Sequence, residues 1–165
     1  MENSSGQVSH FERLIALADA VFDVKNDADQ LDVNEEVLAR LEEIHPACVS
    51  EYADDKGPAA WILMIPCTKA VMEAFLEGRI SEKALFENCL PGQIYESIYL
   101  CSALVLEEYR RKGIARDLSL EAIRKICSDF PVQQLFVWAF SAEGLQCARN
   151  LTEISGLPLL VKSGD

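Results

Sequence analysis

Apolar residues recur along this chain in two rhythms, one of three to four residues and one of two. From His10 to Val24, Phe11, Leu14, Ala18, Val21 and Phe22 return at helical steps, which predicts a helix with one buried face. Lys25–Asp32 is polar and acidic and reads as a loop. Asn34 is placed to cap a second helix. Its first turn carries Glu35 and Glu36, its apolar side is Val37, Leu38, Leu41 and Ile44, and His45-Pro46 ends it. Ala47–Tyr52 and Ala59–Ile65 read as strands of a hairpin, joined by a turn over Asp54–Pro58 and closed by Pro66. Thr68 caps a helix that Gly78 stops, and Ser81 caps a shorter one. Tyr95–Leu106 is the longest strand candidate. A helix follows Gly113, with Leu118, Ala122, Ile123 and Ile126 on one side, and Phe130-Pro131 ends it. Val132–Phe140 reads as a strand, Ala142–Ile154 as a helix stopped by Gly156, and Leu157–Val161 as a last strand.

A hairpin followed by alternating helices and strands predicts an α/β fold, a mixed and largely antiparallel sheet flanked by helices. The 165 residues fit one domain, with 1–8 as a flexible tail, and no repeat or linker interrupts them. The longest apolar runs, Ala59–Cys67 and Tyr99–Leu106, are well short of the roughly 18 residues a membrane span requires. Met1–Gly6 lacks a basic stretch followed by an apolar one, so no secretory leader is expected.

Charge narrows the partners. Asp and Glu total 27 against 15 Lys and Arg, a net charge of −12. Such a field opposes a phosphate backbone, so no nucleic-acid partner is expected, and it favours the approach of cationic small molecules such as amines. The six cysteines form no C-x-x-C pair. Cys67 and Cys101 lie in apolar stretches and Cys127 on the buried side of a helix, which predicts buried free thiols and suits a reducing cytoplasm. With only His10 and His45, and no second strong ligand spaced near either, no metal site is expected.

The chemistry concentrates at Leu104–Leu118. An apolar strand runs into a basic turn, Arg110-Arg111-Lys112-Gly113, and a helix begins directly after it. The first N–H groups of a helix have no intrahelical acceptors and carry the positive end of its dipole. Glycine lets a bulky anion approach the backbone, so a diphosphate would fit this cradle. The same arrangement also starts helices that bind nothing. The P-loop spacing and the three-glycine dinucleotide fingerprint are both absent.

The string Arg110-x-x-Gly113-x-Ala115, preceded by an apolar strand and Tyr109, resembles motif A of the GCN5-related N-acetyltransferases. Phe136–Phe140 is similar to that family's next strand, and Leu151 to Gly156-Leu157 to a later apolar segment. The resemblance covers roughly residues 95–157. It implies a GNAT-like sheet splayed between the Tyr95–Leu106 and Val132–Phe140 strands, with acetyl-CoA as co-substrate in the cleft. It places the diphosphate at Arg110 and on the N–H groups of Arg111, Lys112, Gly113, Ile114 and Ala115. The pantetheine arm would pair with the backbone of Leu104, Val105 and Leu106. The implied activity is acyl-coenzyme A-dependent N-acylation, most simply acetyl transfer to the amine of a small molecule.

Departures from the family pattern bear on catalysis. Where some members place a general-base glutamate, eleven residues before the motif, this chain has Tyr99, a poor base at neutral pH. Glu96 is the nearest acid, but an odd step from Tyr99 turns it to the opposite face of a regular strand. Tyr99 and Glu96 are thus the catalytic candidates. Thr152 stands where many members carry the tyrosine that protonates the leaving thiolate. The competing expectation is a non-catalytic module of the same fold that binds coenzyme A or a protein partner. The helical stretch Thr68–Asn88, or a second subunit of a homodimer, is placed to cover the acceptor side.

Overall fold

The computed structural model describes residues 12–13, 16–17, 35–138 and 142–162. Glu12, Arg13, Ala16 and Leu17 are helical; the rest of the helix expected over His10–Val24, the loop at Lys25–Asp32, the Asn34 cap and the tail 1–8 lie outside the described residues. The described elements run α1 (Glu35–Ile44), β1 (Val49–Asp54), β2 (Gly57–Cys67), α2 (Lys69–Leu76), α3 (Glu82–Asn88), β3 (Ser97–Val105), α4 (Ile114–Asp129), β4 (Gln134–Trp138), α5 (Ala142–Ser155) and β5 (Leu159–Lys162).

The five strands form one sheet in the order β1-β2-β3-β4-β5. β1, β2 and β3 are antiparallel neighbours over long ladders, whereas β3–β4 and β4–β5 pair in parallel over shorter ones. The expected mixed, largely antiparallel sheet is therefore present. The parallel pairs are joined through α4 and α5, and both helices pack on the same face, as right-handed crossovers in a continuing strand order require. Along β2 the two-residue alternation divides the core. Leu63, Ile65 and Cys67 face α1, α2 and α3, while Ile62 and Met64 face α4 and α5.

Local chemistry sets the boundaries and corrects several expected ones. β1 starts at Val49, not Ala47, because Pro46–Cys48 is a 3-10 turn capped by His45, whose Nδ1 accepts from Ala47 N at 3.0 Å. The same ring meets Asp129 Oδ2 through Nε2 at 2.6 Å, tying that turn to the end of α4. β2 runs on through Pro66 to Cys67. Pro66 lies beyond Leu63, where β1 pairing stops, so a residue without an N–H is tolerated there. Thr68 and Ser81 cap α2 and α3 as expected, accepting from Val71 N and Ala84 N. β3, β4 and β5 are shorter than expected at their N-terminal ends by about two residues each, and 139–140 lie outside the described residues.

Cys48, Cys67, Cys89 and Cys101 are buried free thiols, with Cys67 Sγ and Cys89 Sγ 3.2 Å apart. Burial pushes the Cys48 thiol from 9.0 up to about 12, and it raises Cys67 and Tyr99 well above their ordinary values. Above pH 9 the unfolded chain therefore releases protons that the folded chain retains, so stability falls as pH rises. Melting temperature is expected to be insensitive to these groups below about pH 8 and to drop steeply between about pH 9 and 12, where Cys48 alone lowers the unfolding free energy by on the order of 1.4 kcal/mol per pH unit. A flat melting curve from pH 8 to 11 would contradict this account. Among the described residues, no helix is long and apolar enough to cross a membrane.

Candidate functional site

β3 has nine residues, yet only Ser97, Ile98 and Tyr99 pair with β4, opposite Gln134, Leu135 and Phe136. Beyond that point the strands part. Val137 and Trp138 continue β4 and still pair with β5, while β3 continues to Val105 paired, among the described residues, with β2 alone. A bulge marks the place. Leu63 pairs with Ser102 and Met64 with Leu100, which leaves Cys101 as the extra residue on β3. Bulges bend a strand and sharpen its local twist, and this one falls where β3 leaves β4. The expected splay between these two strands is thus present, and its open side is an edge of β3 that no described residue pairs with.

The register identifies which peptides face that opening. Leu106 N donates to Ala59 O on β2 at 3.0 Å, and Leu104 sits opposite Trp61 two residues earlier. In an antiparallel ladder, peptide groups alternate sides. Leu104 and Leu106 therefore turn their N–H groups toward β2, and Ala103 and Val105 turn theirs toward the gap. This corrects the backbone set expected over Leu104, Val105 and Leu106: only Val105 of the three faces the opening, and Ala103 joins it. Which peptides turn sideways depends on the partner strand, so the sequence carries no sign of Ala103.

At the end of β3, a 3-10 turn over Glu107–Tyr109 leads into the basic turn. Two contacts hold it. Arg110 Nε donates to Val105 O at 3.0 Å, and the Tyr109 hydroxyl donates to the Asp54 carboxylate at the tip of the β1–β2 hairpin, which pushes the phenol up to about 12. Arg111 (φ 64°) and Gly113 (φ 81°) are both left-handed, with Lys112 between them. A left-handed residue followed by a right-handed one, as at Gly113 and the helical Ile114, turns successive N–H groups into one concavity, a nest for an anion. Among the described residues, the N–H groups of Arg111, Lys112, Gly113, Ile114 and Ala115 meet no acceptor; the first helical bond is Asp117 N to Gly113 O. A left-handed arginine is uncommon and costs about 1–2 kcal/mol, so the chain holds this shape against local preference. The sequence reveals the glycine but not the strained arginine.

Two nearby acids are occupied. Glu108 is gripped by both terminal nitrogens of Arg13, at 2.5 and 2.7 Å, and Asp117 by Arg116 Nε at 3.0 Å. The side chains of Arg110, Arg111 and Lys112 remain exposed beside the nest.

The two catalytic candidates lie at the other end of β3. Tyr99 is 1% exposed, and its hydroxyl donates to Glu82 Oε2 at 2.6 Å. Burial first, and then the neighbouring Glu82 carboxylate, hold its phenol protonated far above neutrality. Glu96 precedes β3. Its carboxylate accepts from Lys69 N at 3.2 Å, at the start of α2, and its carbonyl accepts from Gln133 N. The structure therefore brings Tyr99 to the point where the strands part and leaves Glu96 outside the cleft, capping a helix. Glu82, 1% exposed on the far side of Tyr99, is a buried carboxylate that the sequence did not single out. Its helical spacing gives no hint of it; only the packing of α3 onto β3 does. Thr152, on α5, has a buried hydroxyl with no partner among the described residues. A separate groove of about 490 Å³ lies between β1 and the outer side of α4, and no residue of the nest lines it. Among the described residues, no three His, Cys, Asp or Glu side chains cluster as metal ligands.

No family model matches the sequence, and no curated protein matches it. Solved structures do. One, described as the NatB acetyltransferase complex bound to a bisubstrate inhibitor, is 15% identical, covers 84% of this chain and 67% of its own, and has a TM-score of 0.46. A second, described as an acetyltransferase, is 19% identical over 87% of this chain and 82% of its own, with a TM-score of 0.45.

Proposed function

We propose that the protein is an acyl-coenzyme A-dependent N-acyltransferase, transferring acetyl from acetyl-CoA to the amine of a small molecule. The observation that carries this reading is the continuity of two features: a half-unzipped β3 edge leads directly into a nest whose five N–H groups meet no acceptor among the described residues. A ligand matching both must be strand-like at one end and a polyanion at the other, and pantetheine joined to a diphosphate has that form. The nest N–H groups and the helix dipole would receive the diphosphate, with Arg110, Arg111 and Lys112 adding attraction. Ala103 and Val105 would pair with the amide-bearing arm and direct the thioester toward Tyr99 and Phe136.

The chain's own part in the reaction is mainly placement. Holding amine and thioester together supplies a large share of the acceleration. Tyr99, buried and protonated, is not the base, and water takes the proton. The acidic surface draws in cationic amines, and six free thiols suit the cytoplasm. The inert Tyr99 also favours a second reading, a module that binds coenzyme A without turning it over.

Acetyl-CoA at a hundredfold excess over its dissociation constant is expected to stabilise the protein by about 2.7 kcal/mol, read as a rise in melting temperature. No shift and no calorimetric binding would remove both readings. Thiol release that depends on an added amine separates the enzyme from the module.

A further inference from the structure

Where β3 and β4 part, the buried rings of Phe75, Tyr99 and Phe136 pack together with the half-buried Trp138, and the chain's own Lys162 ammonium covers two of them. Lys162 Nζ lies 5.2 Å from the Trp138 ring centre and 5.5 Å from that of Phe75. The two rings meet nearly at right angles, 79° apart with centres 5.8 Å from each other, and so form a corner around the cation. Phe75 also contacts Tyr99 at 5.2 Å and Phe136 at 6.0 Å, the pair at which β3 and β4 stop bonding. Lys162 pairs with Trp138 across β4–β5, two residues beyond Phe136 and therefore one side-chain step into the gap. Both distances fall within the roughly 6 Å over which a ring face attracts a cation. Behind the rings, the Glu82 carboxylate holds the Tyr99 hydroxyl.

We propose that this corner is the acceptor subsite, that it takes a primary aliphatic ammonium, and that Lys162 holds its place in the empty protein. The proposal rests on the acyl-transfer reading above. An arm paired with Ala103 and Val105 delivers its thioester toward Tyr99 and Phe136, and the corner of Phe75 and Trp138 adjoins that pair. An ammonium on a short alkyl chain repeats what Lys162 already presents to the rings. In the transfer, the ammonium gives one proton to water and its nitrogen bonds to the acyl carbon. The carbon–sulfur bond breaks, the thiolate leaves, and the second nitrogen proton passes through solvent to the thiolate. The products are an amide, free coenzyme A and one net proton.

The test needs no acyl donor. Trp61→Phe leaves Trp138 as the chain's one tryptophan, and its emission reports on the corner during titration with n-butylammonium chloride at constant ionic strength. Lys162→Met, which removes the ammonium and keeps the stem, is expected to tighten butylammonium binding about tenfold, in keeping with a partly desolvated cation–ring contact. Lys162→Gln should act likewise and guards against misfolding of the first variant. Lys125→Met removes the same charge from the exposed side of α4 and should leave the affinity unchanged, and 1-butanol should not bind. The proposal is overturned if neither Lys162 variant binds more tightly than its parent, if Lys125→Met gives the same gain, or if butanol binds as well as butylammonium. Any of these results alongside intact acetyl-CoA binding removes the subsite alone, whereas failed acetyl-CoA binding removes the reading of the cleft.

Discussion

Gly113→Asp is expected to weaken acetyl-CoA binding at least about a hundredfold, while Lys112→Ala costs less than about threefold, because the nest recognises its anion through backbone N–H groups and the lysine adds only a screened charge. The comparison that isolates the cause is Gly113→Ala. Gly113 has φ 81°, so any side chain there is strained, and a Cβ would stand 2.6 Å from Arg116 Nη2. That nitrogen ends a flexible side chain and can swing away. The strain remains, at about 1–2 kcal/mol for alanine and less for aspartate, which tolerates left-handed backbone better. Strain alone would therefore rank alanine as the worse substitution; charge at the nest ranks aspartate worse by a wide margin. Calorimetric titration of the three variants decides between them. Equal losses for Gly113→Asp and Lys112→Ala would show that this turn does not hold the phosphates.

Tyr99→Phe should separate stability from chemistry. The hydroxyl gives a buried carboxylate one of its hydrogen bonds, and bonds to charged groups are worth about 1.5–3 kcal/mol. For a chain of this length, that loss lowers the melting temperature by about 3–12 °C. Turnover should fall by less than about tenfold, since a phenol held protonated far above neutrality accepts no proton from the amine. Glu96→Gln should likewise change turnover by less than about tenfold, acting through the cap it forms on α2. A thousandfold loss of turnover in either variant, with acetyl-CoA binding intact, would identify that residue as the base.

What could be read from the sequence was what local pattern determines. The Thr68 and Ser81 caps, the stops at Gly78 and Gly156, and the strand–turn–helix at Arg110–Ala115 all depend on residues close together in the chain, and all appear in the structure. What could not be read depends on partners far away. Ala103 faces the gap because of its register with β2, and Cys101 bulges because Leu63 and Met64 step past it. Glu82 matters because α3 packs its first turn onto Tyr99, seventeen residues on. Lys162 looked like a residue past the end of a strand; only the β4–β5 pairing sets it over Trp138.

The three-residue seam between β3 and β4 gives the sheet the mechanics of two plates on a hinge. β1–β2–β3 is one plate and β4–β5 the other, and each is held by its own ladders. Flexing at Ser97–Tyr99 would widen or narrow the gap without breaking any other strand pairing. A strand-like guest bonded to one plate and packed against the other would act as a splint across the hinge. Its arrival would damp the motion of both plates together, and its departure would restore it. Slowed amide exchange at Ala103 and Val105 on one side, and at Val137 and Trp138 on the other, would follow from a single occupant.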